Sequence, residues 1–330
     1  MTRTPKLTRR ALGAALAAGL ALGPAVGALA QDDYPTKPIT LVVPFPPGGS
    51  TDTLARSIAE AISDPLGQPV VVENRPGAGG TVGANSVAQA EPDGYTLLMG
   101  VTGSNAISGV LRSDLPYDPG TDFAPVTLVV SAPLAIVVNS ESAFQTLDDL
   151  IAAAKENPDT LTHGSPGVGT SMHMAAELFG LESDASLVHV PYQGSAAALQ
   201  DLLGGQIDMM FGDVLVTSEH IKAGTLRPLA VTSEARHPML PDTPTVGEAA
   251  LDGYFAISWQ GVFAPAGTPE PVLEKLHGEI TKALASDELQ AFFAERGFMV
   301  EGREPDAAMA FITSEIDKWG RVVEAAGLRQ

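Results

Sequence analysis

Three glycine-rich turns contain the residues most able to do chemistry in this sequence. They cover residues 45–52, 75–83 and 164–171, and each joins a short apolar run to a helical period. The first N–H groups of a helix have no partner inside the helix, and the helix dipole leaves about half a positive charge at that end. Because glycine lets a ligand approach the backbone, such turns predict an anion site, best suited to a carboxylate, that needs no lysine or arginine.

The first turn, Phe45–Asp52, adds hydroxyl donors at Ser50 and Thr51. Asp52 has two open roles, because it can cap the following helix or meet a cationic or hydroxyl group of the ligand. A tight turn with an N-cap explains this stretch by itself as well as a ligand does.

The sequences of the second and third turns do not fit a nucleotide-binding site. Residues 75–83 are loosely similar to a dinucleotide-binding fingerprint, but the glycine spacing does not fit and no acidic partner is evident. Close packing or a small-anion contact is predicted there instead. Residues 164–171 lack a lysine at the P-loop position, so their hydroxyl groups and helix N–H groups suit a carboxylate better than a nucleoside triphosphate. No cofactor is predicted.

An enzyme is the main rival class. The sequence has six histidines, which are His163, His173, His189, His220, His237 and His277. None lies in an HExxH arrangement or beside a recognisable carboxylate pair, and there is no G-x-S-x-G elbow. Ser171 and His173 can be imagined as a nucleophile pair, but at two residues apart on a helix they point away from each other. A packed or capping histidine is favoured, so no catalytic residue and no metal site is predicted.

Alternating strands and helices must position the turns. Apolar runs at 39–43, 69–72 and 95–99, separated by helical periods, predict a parallel, doubly wound α/β sheet. Residues 123–138 form two apolar stretches interrupted at 131–133, interpreted as the chain crossing to a second lobe where the alternation restarts. The predicted fold is two α/β lobes with a ligand cleft between them. Lobe 1 comprises residues 31–130 and the returning helical tail 255–330, and lobe 2 comprises residues 131–254.

The N-terminus and the charge indicate where the protein works. Residues 1–30 combine four basic residues, an uncharged Ala/Leu/Gly run and an Ala28-Leu29-Ala30 site, which predicts a cleavable signal peptide and a periplasmic or extracytoplasmic location. An uncleaved anchor is disfavoured by Gly23-Pro24, and the choice between general and twin-arginine secretion stays open. Loss of the leader changes the formal net charge from −20 to −24, a surface that repels nucleic acid and anionic lipid.

Two further expectations follow from composition. Without cysteine, the chain has no disulfide and no thiolate metal site. No segment after the leader reaches 18 apolar residues, so the mature protein is expected to be soluble, and a monomer is expected.

Eight short motifs, in order along the mature chain, resemble the tripartite tricarboxylate transporter substrate-binding proteins, also called the Bug family. They cover residues 34–39, 44–52, 73–80, 92–98, 164–171 with His173, 191–195, 201–208 and 264–269. The resemblance implies a periplasmic-binding-protein-like (Venus flytrap) fold. It also implies an organic acid or amino acid as ligand, delivered to membrane permease subunits. Contact roles carry over by motif match to Phe45, Gly48, Gly49, Ser50, Thr51, Asp52, Ser165, Gly167, Thr170, Ser171, Tyr192 and Gly194.

Some positions fit the resemblance less closely. Many relatives have Phe-Asp where this chain has Phe211-Gly212-Asp213, so a ligand contact of Asp213 is left open. Ser104, at the end of the third predicted strand, could contact the distal end of the ligand, although the motif there is loose. Trp259 is expected in core or hinge packing rather than stacked on the ligand. The sequence does not separate uptake from a sensor that presents its closed form to a membrane histidine kinase, and a hydrolase is disfavoured.

Overall fold

The computed structural model describes Met1 and residues 34–330, so the predicted leader lies, apart from Met1, outside the described residues. The strands are β1 Ile39–Val43, β2 Val70–Asn74, β3 Thr96–Val101, β4 Phe123–Asn139, β5 Thr162–Ser165, β6 Val188–Pro191, β7 Met209–Asp213, β8 Leu226–Val231, β9 Ile257–Pro265 and β10 Met299–Val300. The helices are α1 Ser50–Leu66, α2 Thr81–Ala88, α3 Ser108–Leu111, α4 Leu147–Glu156, α5 Ser171–Ser183, α6 Ser195–Leu203, α7 Val214–Lys222, α8 Val246–Ala249, α9 Glu270–Leu284, α10 Asp287–Ala294 and α11 Pro305–Ala325. A 3₁₀ turn, Ala78–Gly80, precedes α2, and a π-helical segment, Gly103–Ile107, leads into α3.

Each lobe is built on three parallel strands. In lobe 1 the order is β2-β1-β3, and in lobe 2 it is β7-β5-β6. Successive residues of a strand face opposite sides of the sheet, so a strand that is apolar throughout needs cover on both faces. In β1, Leu41 and Val43 pack with Leu54 and Ile58 of α1, while Val42 packs into a separate cluster with Ala84 of α2. The parallel strands are therefore covered by helices on both faces, as predicted for a doubly wound fold.

Strand β4 belongs to both lobes. Its first part, Phe123–Pro133, pairs antiparallel with β9, and its last residues pair with β7 and β8. The interruption expected at residues 131–133 is wrong, because the strand continues through Pro133, where pairing passes from β9 to β7. The interpretation of this stretch as a crossing agrees with the change of partners. The boundaries at 130/131 and 254/255 stay predictions.

Buried tryptophans join the returning tail to this sheet. Trp259 of β9 and Trp319 of α11 are fully buried, and their indole N–H groups both donate to Oε2 of Glu315, at 3.2 and 3.0 Å. The Glu315 carboxylate also contacts Lys318 Nζ at 2.5 Å, so this buried charge is compensated. Trp259 therefore lies in core packing, as expected. Within residues 34–330, no helix combines the length and apolarity needed to cross a bilayer.

Candidate anion-binding site

The predicted site residues follow the carboxyl ends of parallel strands in both lobes. In lobe 1 the first turn follows β1, and Ser104 follows β3. In lobe 2 the third turn follows β5, Tyr192 follows β6, and Asp213 ends β7. Because parallel strands end at a common edge, the sheet gathers these residues at one edge in each lobe, where α/β sheets bind ligands.

The two edges come into contact beside the third turn. Gly169 has a φ of +77°, and a Cβ placed on it would lie 2.7 Å from Leu111 Cδ2 of lobe 1. A Cβ on Gly103, also in lobe 1, would lie 3.6 Å from the carbonyl oxygen of Gly169. Only glycine fits position 169, and the π-helical segment of lobe 1 packs directly on the turn of lobe 2. The predicted site residues of the two lobes thus lie on facing edges.

The first turn is held by the buried carboxylate of Asp52. This carboxylate accepts hydrogen bonds from Gly48 N at 2.9 Å, from Asn74 Nδ2 at 2.8 Å and from the Arg56 guanidinium at 2.9 and 3.0 Å. The hydrogen bonds from Arg56 lower its pKa to about 2, against the opposing effect of burial. Of the two roles open for Asp52, the geometry favours the internal one, since its oxygens already bind the turn itself. A ligand contact of Asp52 stays a prediction.

Backbone donors at this turn are available to a ligand. The N–H groups of Gly49, Ser50 and Thr51 donate to no acceptor among the described residues, and Gly49 and Ser50 are exposed. Phe45 is half-buried, and a Cβ on Gly80 of the second turn would lie 3.3 Å from its ring. The described arrangement is a row of free helix-end donors beside an aromatic ring.

The second turn serves close packing. A Cβ on Gly83 would lie 2.8 Å from both Pro44 Cα and the carbonyl oxygen of Arg75. Arg75 is paired with Glu73 at 2.8 Å, so its charge is already matched within lobe 1. The glycines of the second turn bring α2 against the first turn, which agrees with the close packing that was one of the two predictions for this turn.

The third turn holds itself together by internal hydrogen bonds. Thr170 caps α5, since its Oγ1 accepts the N–H of His173 at 3.4 Å, and its hydroxyl donates to Gly167 O at 2.8 Å. Ser165 is fully buried, and its hydroxyl accepts the N–H of Gly167 at 3.1 Å. Among the described residues, the N–H groups of Val168 and Ser171 have no acceptor. Ser165 therefore lies beneath the turn, and the free donors are backbone groups on it.

A second helix begins beside this turn. Gly194, with a φ of +118°, precedes α6, and the N–H of Tyr192 donates to Ser165 O at 2.9 Å, which joins the two turns. The Tyr192 hydroxyl donates to Asp201 Oδ2 at 2.8 Å. Burial and this hydrogen bond raise the pKa of Tyr192 to about 12. The structure thus brings two helix N-termini together in lobe 2, while the phenol is bound to Asp201.

Ser104 and Asp213 differ in their surroundings. Ser104 is fully buried, its hydroxyl donates to Asn105 Oδ1 at 2.7 Å, and its carbonyl accepts from Tyr117. Asp213 begins α7 without capping it, and burial raises the pKa of its carboxyl group to about 6. It pairs with Leu134, next to the point where β4 changes partners. Asp213 is therefore a titratable group at the junction of the lobes, and both ligand contacts stay predictions.

Sequence reasoning missed a cluster of three histidines beneath the third turn. His163, His173 and His189 stack with ring centroids 3.8 to 6.2 Å apart, beside Glu177. The parallel register of β5 and β6 pairs His163 with His189, and this pairing is seen only in the structure. Among the described residues, no group of histidines and carboxylates is placed to hold a metal ion. The imagined Ser171–His173 pair does not form, since the Ser171 hydroxyl contacts Met172 Sδ.

Another serine does meet a histidine. Ser165 Oγ lies 2.6 Å from His189 Nε2, a distance that suits a nucleophile and its base. However, Ser165 has no exposed surface, so an ester carbonyl has no path to its hydroxyl. This pair is an internal contact of the turn in the described structure.

Two surface cavities lie away from these turns. One of about 500 Å³ is lined by Leu178, Phe255 and Phe311, and one of about 430 Å³ by Glu177, Ala185 and Ala325. Both are between α5 and α11, and neither is lined by a residue of the predicted site.

Comparison with known proteins places the chain in a family. Residues 54–328 match the family described as "Tripartite tricarboxylate transporter family receptor". The periplasmic binding protein BugD is 36% identical, with a TM-score of 0.76 over 90% of this chain and 99% of BugD. A protein of R. palustris solved with adipate is 36% identical, with a TM-score of 0.79 over 89% of this chain and 98% of its own. MatC from Rhodopseudomonas palustris, solved with bound malate, is 33% identical, with a TM-score of 0.77 over 88% of this chain and 100% of MatC.

These likenesses extend over nearly all of the described residues. They confirm the periplasmic-binding-protein-like fold that the motifs implied. The chain belongs to the tripartite tricarboxylate transporter receptors of the Bug family.

Proposed function

We propose that this protein is an extracytoplasmic receptor that binds a small organic carboxylate between its lobes and delivers it to the membrane subunits of a tripartite tricarboxylate-type transporter. The observation that carries the proposal is the set of free N–H groups at helix starts on two facing edges. Ser50 and Thr51 supply them in lobe 1, and Val168 and Ser171 in lobe 2. Helix N-termini bind anions through such donors and through the helix dipole.

The ligand class is a dicarboxylate, with one carboxylate at each edge. Charge-assisted hydrogen bonds contribute roughly 1.5–3 kcal/mol each, so four or five of them, less the cost of ordering, are compatible with micromolar binding at about −8 kcal/mol. The relatives solved with adipate and with malate both bind dicarboxylates. The formal charge of −24 without the leader does not oppose this, because surface charges are screened over about 8 Å at physiological salt while helix ends act at contact distance.

The site residues divide into groups that face the ligand and groups that hold the turns. We assign direct contact to Phe45, Gly48, Gly49, Ser50, Thr51, Gly167, Thr170, Ser171 and Gly194. Asp52 and Ser165 act from beneath, because their polar atoms already bind their own turns. Tyr192 acts mainly through its backbone, Ser104 shapes the π-helical segment, and Asp213 faces the cleft at the junction.

The location and partners follow from the family and the leader together. Residues 1–30 direct export and are removed, and the mature receptor works as a monomer outside the cytoplasm. It turns over no substrate, since the Ser165–His189 pair is closed to solvent on the serine side. A sensor role would use the same site and differ only in the membrane protein that recognises the closed form.

A titration with matched ligands tests the proposal. Calorimetry and thermal shift are measured with adipate, with hexanoate, which lacks one carboxylate, and with adipamide, which has none. Adipate is expected to bind and raise the melting temperature. Hexanoate is expected to bind at least about tenfold more weakly, because a lost charge-assisted bond is worth 1.5–3 kcal/mol. Equal affinity for adipamide, or preference for a neutral sugar, would show that the helix ends do not bind an anion.

A further inference from the structure

The third turn rests on a stack of imidazole rings that the anion site itself does not use. His163 on β5 and His189 on β6 are register partners, and His173 on α5 lies against both. The interplanar angles are 12° to 24°, so ring faces rather than ring nitrogens meet. His163 and His173 are fully buried, and His189 is half-buried. The β5-α5-β6 unit therefore has three aromatic polar rings at its centre, directly beneath the turn that joins β5 to α5.

Two of the rings bind the turn. His189 Nε2 lies 2.6 Å from Ser165 Oγ, and the same hydroxyl accepts the N–H of Gly167 at 3.1 Å. The N–H of Gly169 donates to His173 Nδ1 at 3.2 Å. Gly167 and Gly169 both have positive φ, which glycine adopts without strain, so many turn conformations are open to this segment. The hydrogen bonds to the rings act at both glycines and add to the internal hydrogen bonds of the turn.

These hydrogen bonds determine the tautomer of a neutral His173 ring. Since Nδ1 accepts a hydrogen bond, the proton of the neutral ring is on Nε2, which lies 3.3 Å from Glu177 Oε1. Burial alone would raise the pKa of Glu177, but the neighbouring imidazoles of His163 and His173 lower it to about 2. Burial lowers the pKa of His189 to about 3 and lowers that of His163. At neutral pH His163 and His189 are therefore uncharged, and these two rings offer no positive charge to an anion.

The histidine stack can still act on the conformation of the third turn rather than on its charge. Both ring nitrogens of His163 lack a hydrogen-bond partner among the described residues, and Glu177 Oε1 is 3.8 Å away. A buried polar group without a partner costs stability, so an apolar side chain of similar size would serve packing alone at lower cost. Histidine at these positions fits a network that orders His173 and His189 against the turn.

We propose that His163, His173, His189 and Glu177 are positioning residues that hold Gly167 and Gly169 in the conformation that receives a carboxylate in lobe 2. The inference rests on the proposed function for the identity of the ligand. The hydrogen bonds between the rings and the turn do not depend on it. Two measurements, one with ligand and one without, therefore test it separately.

The first measurement is amide hydrogen exchange in the ligand-free protein. His189→Phe keeps an aromatic ring in the stack and removes the bond to Ser165, and His173→Phe removes the acceptor for Gly169. Exchange is expected to quicken about tenfold or more at Gly167 in His189→Phe and at Gly169 in His173→Phe, as for an opened hydrogen bond. Gly48, whose N–H binds Asp52 in lobe 1, is the internal control and should not change. Unchanged exchange at both lobe-2 glycines overturns the proposal, whether or not a carboxylate binds.

The second measurement is a double-mutant cycle on adipate binding. His189→Phe and Ser165→Ala are each expected to weaken binding about tenfold. The double variant is expected to bind no more weakly than Ser165→Ala, because that single variant already removes the contact between Ser165 and His189. His189→Gln, whose amide nitrogen can reach the Nε2 position, should recover most of the affinity. His237→Phe is a matched control, since it removes a buried histidine whose hydrogen bonds go to Gly297 and Met239 and not to a glycine turn of the site. It should lower the melting temperature and leave adipate affinity unchanged.

The outcomes are separable. If the wild-type protein does not bind adipate, malate or other carboxylates, the proposed function fails, and hydrogen exchange still decides the positioning role. If the wild-type protein binds adipate but His189→Phe binds as tightly, the positioning role is wrong. A roughly hundredfold loss in the double variant would mean that the two residues act independently, which also contradicts the proposal.

Discussion

The first turn of lobe 1 and the third turn of lobe 2 present similar backbone donors, but different kinds of side chains hold the two turns in place. In lobe 1 a charged network supports the turn, because Asp52 joins Gly48 to Arg56 and Asn74. In lobe 2 the support is the stack of imidazoles, which reaches the turn through Ser165 and Gly169. The Arg56 side chain is 53% exposed, whereas His163 and His173 are fully buried.

The difference shows how an anion site can avoid carrying its own counter-charge. The positive charge of Arg56 is matched by Asp52, so little of it reaches a ligand at Ser50. In lobe 2, His163 and His189 are neutral at physiological pH. In the proposed site, the charge of the ligand is therefore met by the helix ends of both lobes, and we propose that specificity for a carboxylate comes from donor geometry. The two braces should respond differently to salt, because exposed ion pairs are screened and buried contacts are not.

The largest effect is expected from placing a charge on the lobe-2 turn. Thr170→Glu puts a carboxylate where the ligand's carboxylate is proposed to bind, and should reduce adipate affinity about a hundredfold or more, since like charges replace several charge-assisted bonds. Thr170→Gln, of similar size but neutral, separates charge from bulk and from the lost N-cap. Calorimetry gives the affinities, and circular dichroism checks the fold. Normal binding by Thr170→Glu would leave Thr170 as a cap alone.

Removing the charge of Asp52, which holds the first turn of lobe 1, should lower the stability of the protein as well as its affinity for adipate. Asp52→Asn keeps the size of the side chain and loses the ion pair, so the free energy of unfolding is expected to fall by about 1–3 kcal/mol, as for a buried group that loses its hydrogen-bond partners. The pKa of Asp52 is lowered to about 2, so its stabilising contribution is present above pH 4 and is lost as pH falls through 2. Urea unfolding at pH 7 and at low pH should show the two proteins converging in acid.

The effects of the lobe-1 and lobe-2 variants should depend differently on salt. The difference between wild-type protein and Asp52→Asn should shrink when sodium chloride is raised, whereas the effect of Ser165→Ala in lobe 2 should not change. Equal salt responses of the two variants would contradict the distinction between a charged brace and a neutral one.

Asp213 lies at the junction of the lobes and belongs to neither the Asp52 network nor the histidine stack. Burial raises its pKa to about 6, so the ionised form disfavours the folded state, and this group's contribution to stability increases as pH falls from 7 to 4. Asp213→Asn should therefore raise the melting temperature by a few degrees at pH 7.5 and by nothing near pH 4. If Asp213 faces the ligand, adipate should bind more tightly below pH 6 in the wild-type protein, and the variant should lose this dependence. A pH profile that is unchanged in the variant would place the responsible group elsewhere.

Local pattern predicted much of the fold. Strand β1 has the predicted bounds, 39–43. Helices α4 and α6 have local end signals of the same kind, namely Gly204 after α6 and the Thr146–Asp149 capping box of α4. The pattern missed β9 and α10, and it expected a break at residues 131–133. Pairing with β9 and then β7 keeps β4 extended through Pro133, and such pairing is not visible in a local window.

The candidate site was predictable to the extent that it is local. The order of strand, glycine turn and helix is written in consecutive residues, so the first and third turns could be named from sequence. The roles of Asp52 and Ser165 could not be settled, because their partners Asn74 and His189 come from other strands. The histidine stack needs the register of β5 against β6, which the sequence does not specify on its own.

The smallest expected effect distinguishes side chain from backbone at Tyr192. The phenol donates to Asp201, and the backbone N–H joins the two turns of lobe 2. Tyr192→Phe removes only the hydroxyl, so it should cost about 1 kcal/mol of stability and change adipate affinity less than threefold. Gly194→Ala is the contrasting variant, because its φ of +118° disfavours any side chain and the start of α6 must shift. It should weaken binding more than Tyr192→Phe does. A tenfold loss in Tyr192→Phe would instead place the phenol against the ligand, and lobe 2 would then bind the carboxylate with a side chain as well as with helix ends.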